Sequence, residues 1–158
     1  MSDRGCSTPR ADFSLRPADA DDFAFARRLY MHSMIPLLTA LDAWDEDALE
    51  AAFRSYFIPQ EVTVVTQGGT DAGWFQVSRA ELDLCLDQLY LIEAAQGQGI
   101  GTALIRGVIA EAKEQGRNVS LSLIKGNPVI SLYRRLGFRQ TSEGQTKIHM
   151  RLVTGEAA

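Results

Sequence analysis

Residues 96–102 of the chain read Gln-Gly-Gln-Gly-Ile-Gly-Thr, with a glycine at every second position from Gly97 to Gly101. An alternating apolar run precedes this segment, and apolar residues at helical spacing follow it, so it joins a predicted strand to a predicted helix. Glycine lets the backbone approach a ligand without a side-chain clash. The first amide groups of a helix have no partner inside it and attract phosphate groups. The segment therefore predicts a loop that binds a phosphate or pyrophosphate.

Two common phosphate-binding loops do not fit the residues that follow. A Walker-type loop ends in glycine, lysine and serine or threonine, whereas Gly101 is followed by Thr102 and Ala103. A dinucleotide-binding loop requires a third glycine at the position of Thr102 and an acidic residue at the end of the next strand. Residues 119–125, which form that predicted strand, contain no acidic residue. The loop therefore matches neither of these nucleotide-binding types.

The loop and a second segment together resemble a known family. Residues 96–101 fit the pattern of Gln or Arg, two residues, Gly, one residue, and Gly or Ala. Residues 127–138 read Asn-Pro-Val-Ile-Ser-Leu-Tyr-Arg-Arg-Leu-Gly-Phe. Both segments resemble those of the GNAT superfamily of N-acetyltransferases, in the subset with a Gly-Asn-Pro turn. The resemblance implies an α/β fold with a mixed, mostly antiparallel sheet, a splayed central strand pair and about four flanking helices.

The same resemblance implies a site for acetyl-CoA as the co-substrate. In this family the glycine loop holds the pyrophosphate, and a strand before the loop pairs with the pantetheine through backbone groups. On this chain the loop positions are Gln96, Gly97, Gln98, Gly99, Ile100, Gly101 and Thr102, and the strand positions are Leu89, Tyr90 and Leu91. Asn127 is predicted as a further cofactor contact.

Two residues are predicted to carry the chemistry. Tyr133 lies where the family has its general acid, which protonates the departing CoA thiolate. Asp87 is the predicted general base, and Asp83 and Glu93 are alternatives, because family members use a carboxylate or a water relay at no fixed position. A backbone amide near Leu91 is expected to stabilise the thioester oxygen as it gains negative charge. No metal is predicted.

The apolar pattern also predicts two details upstream of the loop. A helix capped by Asp19 or Asp21 is expected to run to about His32, with Pro36 ending that region. Over residues 81–92, alternating leucines at 82, 84 and 86 predict one buried face of a strand. The alternation breaks at residues 88–91, which predicts a β-bulge there.

Composition indicates one domain of ordinary globular character. The chain has 158 residues, 46% hydrophobic and 23% charged, with a formal charge of −4 and no basic stripe that favours nucleic acid. Its two cysteines, Cys6 and Cys85, fit neither a disulfide framework nor a zinc site, which favours a reducing cytoplasm. No apolar run reaches the ~18 residues of a membrane helix, and no signal peptide is predicted. We expect a mobile arm over residues 1–12, one acyl-CoA N-acyltransferase domain over 13–153 and a tail over 154–158.

The resemblance implies an enzyme, an acetyl-CoA-dependent N-acetyltransferase. We expect direct transfer of the acetyl group to a primary amine of a small molecule or peptide. The alternative is a non-catalytic GNAT-like domain that senses acyl-CoA. Homodimers are common in this family, so a homodimer is the expected assembly if the chain is not a monomer.

Overall fold

The computed structural model describes residues 12–155. The predicted N-terminal arm lies outside the described residues, except for Asp12. Of the predicted tail, Thr154 donates its amide to Asn118 Oδ1 at 3.0 Å and its hydroxyl to the Arg117 carbonyl. These contacts join Thr154 to the start of the strand that begins at Asn118.

Seven strands form a single sheet within the described residues. They are β1 (Ser14–Pro17), β2 (Val62–Gln67), β3 (Thr70–Arg79), β4 (Asp83–Leu91), β5 (Asn118–Ile124), β6 (Arg139–Glu143) and β7 (Lys147–Leu152). Their spatial order is β1-β2-β3-β4-β5-β7-β6. Only the β4–β5 pair is parallel, because the chain crosses over between them through a helix. The predicted mixed, mostly antiparallel sheet is confirmed.

Four α-helices cover the two faces of this sheet. They are α1 (Phe23–Ala40), α2 (Glu46–Tyr56), α3 (Ile100–Glu114) and α4 (Ile130–Arg135). Consecutive residues of a strand face opposite sides of a sheet. Accordingly, Leu89 packs with the core under α3 and α4, while its neighbour Tyr90 packs with the core under α1 and α2. None of the helices in residues 12–155 combines the length and the apolar character that crossing a membrane requires.

The prediction that Pro36 ends the first helical region is wrong. Helix α1 continues through Pro36 to Ala40. A proline inside a helix removes one backbone hydrogen bond and crowds the carbonyl four residues earlier, here that of His32. Met34 and Leu38, on either side of the proline, pack against the α1–α2 core. We infer that this packing offsets the local cost of the proline.

Strand β4 differs from its sequence pattern at both ends. Leu84 and Leu86 are buried as predicted, but Leu82 is 66% exposed because it precedes the strand. The bulge lies at Asp87 and not within residues 88–91. Gln76 of β3 opposes Gln88, and Val77 opposes Leu86, which leaves Asp87 as the extra residue. The bulge shifts the alternation that follows it, which is why the sequence pattern breaks one residue later.

The central strand pair separates as predicted. Strands β4 and β5 are paired only from Asp83↔Asn118 to Leu86↔Leu121. Both strands then continue, β4 to Leu91 and β5 to Ile124, without pairing to each other. The splay begins at the bulge, and it opens the sheet beside the glycine loop.

Candidate active site

The glycine loop ends directly on the first turn of α3. Gly97 and Gly99 have φ angles of +76° and +86°, a left-handed conformation that favours glycine, and a Cβ at either position would meet nothing within 4 Å. The first amide bonded within the helix is that of Ala103, which donates to the Gly99 carbonyl at 3.0 Å. The amides of Ile100, Gly101 and Thr102 precede it and have no acceptor inside the helix. The loop therefore presents free donors and open space, which suits a pyrophosphate.

Two glutamine side chains hold the loop in this shape. Gln96 donates from its amide nitrogen to the Leu91 carbonyl at 3.0 Å. Gln98 donates to the Ala94 carbonyl at 2.7 Å and accepts from the side chain of Gln67 at 2.9 Å. Because both side chains are hydrogen-bonded to other groups of the protein, the backbone of the loop is the part left to contact a ligand. Gln67 on β2 gives no signal in the sequence, because its role depends on how the sheet folds.

The end of β4 offers backbone groups without a strand partner. Ile92 donates its amide to the Ala72 carbonyl of β3 at 2.8 Å. Alternate residues of a strand direct their backbone groups to opposite edges, so Leu91 and Leu89 direct theirs toward the opened side, where β5 has separated. The Leu91 carbonyl is taken by Gln96, and the Leu91 amide and both groups of Leu89 are left for a ligand. An extended ligand with amide groups, such as pantetheine, can pair there like an added strand.

A cleft of about 720 Å³ lies between the separated strands. The predicted site residues line it except for two, Gln98 and Ile100. The Ile100 side chain is 1% exposed and packs in the core beneath the loop, so only its backbone can contact a ligand. The cleft is also lined by Tyr30, His32 and other residues of α1. The glycine loop, the end of β4 and the start of α4 therefore share one opening.

Tyr133 lies in this cleft, and its aromatic ring is firmly packed. The residue is 7% exposed, and its ring packs edge-on against Phe138 with centroids 5.5 Å apart. Burial raises its pKa to about 12, because the charged phenolate is poorly solvated there. Desolvation is the only cause of this shift, and no side chain within residues 12–155 forms a hydrogen bond with the hydroxyl. The group is therefore a neutral donor at physiological pH that is available to a ligand.

Asn127 caps the turn that begins α4. Its side-chain oxygen accepts the Val129 amide at 3.0 Å, and the residue also lines the cleft. The side-chain oxygen of Asn127 is thus engaged in the turn, while its side-chain nitrogen has no partner among the described residues. The structural role and a cofactor contact are compatible.

Asp87 lies at the bulge, where the cleft meets a second cavity that it also lines. Its pKa is raised from the ordinary value, mainly by desolvation and further by the negative charge of Glu61, and a hydrogen bond from Ser78 opposes the shift. Of the alternative bases, Asp83 is ion-paired with Arg151 at 2.8 Å, and Glu93 lines neither cavity. Asp87 is therefore the best placed of the three carboxylates to accept a proton in the cleft.

Several polar residues of the cleft carry no motif in the sequence. Ser122 of β5 and Lys147 of β7 line it, and Ser122 Oγ lies 2.6 Å from His149 Nδ1 of β7. The two residues are directly opposed in the β5–β7 pairing. Only this register brings them together, because they are far apart in the chain. Arg135 of α4 also lines the cleft, whereas the Lys125 ammonium is paired with Glu143 at 3.0 Å.

Comparison with solved structures shows the same fold in known acetyltransferases. The PaiA N-acetyltransferase of Thermoplasma acidophilum in complex with coenzyme A has a TM-score of 0.72 at 16% identity, over 90% of this chain and 99% of that one. Ard1 of Thermoplasma volcanium has a TM-score of 0.67 at 18% identity, over 91% and 99%. The ribosomal-protein-S18-alanine N-acetyltransferase of Escherichia coli has a TM-score of 0.64 at 20% identity, over 93% and 97%. No curated protein sequence matches the chain significantly.

The family comparison goes beyond the fold. The family model for the acetyltransferase (GNAT) domain matches residues 59–140, which is 82 of the 158 residues. That range contains β2 to α4, and with them the glycine loop, the bulge and Tyr133. The family's acyl donor is acetyl-CoA, and the free donors of the loop fit its pyrophosphate. With more than half of its length matched, this chain belongs to the GNAT acetyltransferases, enzymes that transfer the acetyl group of acetyl-CoA.

Proposed function

We propose that the protein transfers the acetyl group of acetyl-CoA directly to a primary amine of a small molecule or peptide. The observation that carries this proposal is the shared cleft: the glycine loop, the free backbone groups of β4 and the Tyr133 hydroxyl all open onto it. A molecule bound by its pyrophosphate at the loop and by its pantetheine along β4 brings its thioester toward Tyr133. The acceptor enters from the side of α1.

The residues of the cleft divide the binding between them. The amides of Ile100, Gly101 and Thr102 donate to the pyrophosphate, with Gln96 and Gln98 holding the loop. Leu89 and Leu91 pair with the pantetheine through their backbone, and Tyr90 fixes this stretch by packing its ring against Trp74 and Tyr30. The side-chain nitrogen of Asn127, which has no partner among the described residues, is a further donor in the cleft.

The chemistry requires one base, one oxyanion donor and one acid. The Asp87 carboxylate accepts a proton from the ammonium form of the acceptor, directly or through a water, which frees the nitrogen lone pair to attack the thioester carbon. The Leu91 amide donates to the carbonyl oxygen as negative charge develops there. The carbon–sulfur bond then breaks, and the Tyr133 hydroxyl donates its proton to the leaving sulfur. The remaining extra proton of the attacking nitrogen passes to the Tyr133 phenolate, directly or through water, which leaves a neutral amide and restores the phenol. No acetylated side chain is required, since the amine attacks the thioester itself.

The test is acetyl-CoA-dependent release of free thiol with a panel of primary amines, with mass spectrometry of each acceptor. We expect at least one acceptor to gain an acetyl group in step with thiol release. Binding of acetyl-CoA without transfer to any member of a broad panel would instead support the sensor alternative. The cytoplasmic location and a homodimeric assembly remain predictions, which cell fractionation and sedimentation would measure.

A further inference from the structure

Ser122 of β5 and His149 of β7 form a close polar pair beside the cleft. Ser122 Oγ lies 2.6 Å from His149 Nδ1, and the two residues are directly opposed in the β5–β7 pairing. Ser122 is exposed, whereas His149 is half-buried. A hydroxyl within hydrogen-bond distance of an imidazole can become a nucleophile, because the imidazole takes its proton as the oxygen attacks. Neither the proposed transfer to an amine nor the binding of acetyl-CoA uses this pair.

Ser122 lies at the point where the sheet opens. The last paired residues of the two central strands are Leu86 of β4 and Leu121 of β5. Asp87 and Ser122 are therefore the first residues on the two sides of the opening, and both line the cleft. Because the acceptor amine is proposed to lose its proton to Asp87 and attack the thioester there, Ser122 is placed to approach the same carbon from the other strand.

The sheet holds His149 between two neighbouring strands. It opposes Ser122 on β5 and Ser142 on β6, and its carbonyl accepts from Thr141 Oγ1 at 3.3 Å. When the ring carries its proton on Nε2, Nδ1 accepts a hydrogen bond from the Ser122 hydroxyl. His149 and Ser122 also line the second cavity, whose volume of about 670 Å³ leaves room for water beside the pair.

We propose that this cleft has a second activity: without an amine, the protein hydrolyses acetyl-CoA through an acetyl ester on Ser122. The Ser122 oxygen bonds to the thioester carbon while its proton passes to His149 Nδ1. The carbon–sulfur bond breaks, and the sulfur takes that proton and leaves as the free thiol of CoA. A water then gives a proton to Nδ1 and attacks the ester carbon. The bond to the Ser122 oxygen breaks, His149 returns the proton to that oxygen, and acetic acid is released.

The test incubates the protein with acetyl-CoA and no amine. We expect free thiol and acetate to form in equal amounts, and an acid quench during turnover to trap one acetyl group on the protein. Trypsin cleavage after Arg117 and Lys125 releases residues 118–125, whose only hydroxyl side chains are Ser120 and Ser122. Fragmentation of this peptide in a mass spectrometer should place the acetyl group on Ser122.

Two variants remove one partner of the pair each. Ser122→Ala removes the nucleophile, and His149→Gln removes the base and keeps the hydroxyl. We expect either change to lower the rate of acetyl-CoA hydrolysis by roughly 10²-fold or more. Only Ser122→Ala must also remove the acetylated peptide. Calorimetric titration with CoA shows that each variant is folded.

Ser120→Ala is the matched control. Ser120 lies two residues earlier on the same face of β5, lines the second cavity alone, and donates to Cys85 Sγ at 3.4 Å. Its removal should leave both the rate of hydrolysis and the acetylated peptide unchanged. Equal rates in Ser122→Ala and Ser120→Ala overturn the inference. An acetyl group on Ser120, or none on Ser122 in either the wild type or His149→Gln, overturns it too, since water then attacks the thioester directly.

This inference requires the acetyl-CoA site and not the transfer to an amine, so the two proposals fail separately. Acetylation of an amine, with no hydrolysis when the amine is left out, overturns the inference and leaves the proposed function standing. Hydrolysis through Ser122, with no amine acetylated, confirms the inference and contradicts the proposed function.

Discussion

At the scale of single residues, burial keeps Tyr133, the proposed general acid, in its protonated form. The pKa of its phenol is raised to about 12, so the proton stays on the oxygen at neutral pH. Tyr133→Phe keeps the ring and its packing against Phe138 but removes that proton. We expect kcat to fall by roughly 10²-fold, the low end for general acid catalysis, because a thiolate is already a fair leaving group. Steady-state kinetics on the best acceptor measures this loss.

The control for this variant is the affinity for acetyl-CoA. The hydroxyl makes no side-chain hydrogen bond within residues 12–155, so its removal should change neither the melting temperature nor the equilibrium affinity by much. A variant that keeps near-wild-type kcat would show that water or another group protonates the sulfur. A loss of affinity without a loss of kcat would make the hydroxyl a binding group.

Asp87 is expected to contribute to activity at the expense of stability. Its pKa in the folded protein is raised, so the folded state binds more protons than the unfolded chain as the pH rises from the ordinary value to the raised one. Over that window the free energy of unfolding falls, and the loss persists at every pH above it. Asp87→Asn removes this loss of unfolding free energy, because the asparagine side chain does not titrate. We expect a melting temperature at pH 7 equal to or above that of the wild type, with kcat reduced by roughly 10²-fold or more.

The pH profile separates the two roles open to Asp87. A base must be unprotonated to act, so kcat of the wild type should fall on the acidic side as pH drops through the raised pKa. Asp87→Asn should lose this acidic limb and retain only a low rate that rises with the pH as the amine itself deprotonates. An unchanged acidic limb in the variant would assign the base to a different group.

At the scale of elements, the junction of the glycine loop and α3 is the proposed binding site for the pyrophosphate of acetyl-CoA. Gly99 directly precedes the helix with φ of +86°, and a side chain there would project into open space where the pyrophosphate is expected. Gly99→Val should therefore abolish binding of acetyl-CoA while the protein still folds. Isothermal titration measures the affinity, and circular dichroism the fold.

Gly116 at the other end of α3 supplies the matched control. Its φ is +69°, and a Cβ there also meets nothing within 4 Å, so Gly116→Val introduces similar backbone strain far from the loop. Both variants should lose comparable stability, since a left-handed residue other than glycine costs ~1–2 kcal/mol. Only Gly99→Val should lose acetyl-CoA. Equal affinities in the two variants would refute the loop as the pyrophosphate site.

At the scale of the whole molecule, binding at the split in the sheet should stabilise the entire fold. The cleft is built from both halves of the sheet, so a ligand that occupies it binds only the native state. At 100 times the dissociation constant the gain is about 2.7 kcal/mol, which for a chain of this size raises the melting temperature by roughly 5–10 °C. Differential scanning fluorimetry with acetyl-CoA measures the shift, and ATP serves as the control nucleotide. A shift with ATP and none with acetyl-CoA would contradict the assignment of the cleft.

Local segments of the sequence predict the part of the candidate site that is built by consecutive residues. The loop at 96–102 and the segment at 127–138 each have a spacing that dictates one local geometry: glycines at positive φ before a helix, and an asparagine that caps the next turn. The alternation in β4 likewise predicted a strand and a break near its end. These features depend on steric and hydrogen-bonding rules that act over a few residues, so they can be read without the fold.

Tertiary structure alone decided which residues far apart in the chain meet around these local segments. The register of β3 against β4 places the bulge at Asp87, and the register of β5 against β7 joins Ser122 to His149. Packing of α1 on the sheet carries its helix through Pro36, against the local preference of proline. Gln76 donates to Glu61 because the register of β2 against β3 places Val62, the residue after Glu61, opposite Gln76. Strand register and helix packing are set by the burial of apolar surface over the whole chain, and no single segment contains that information.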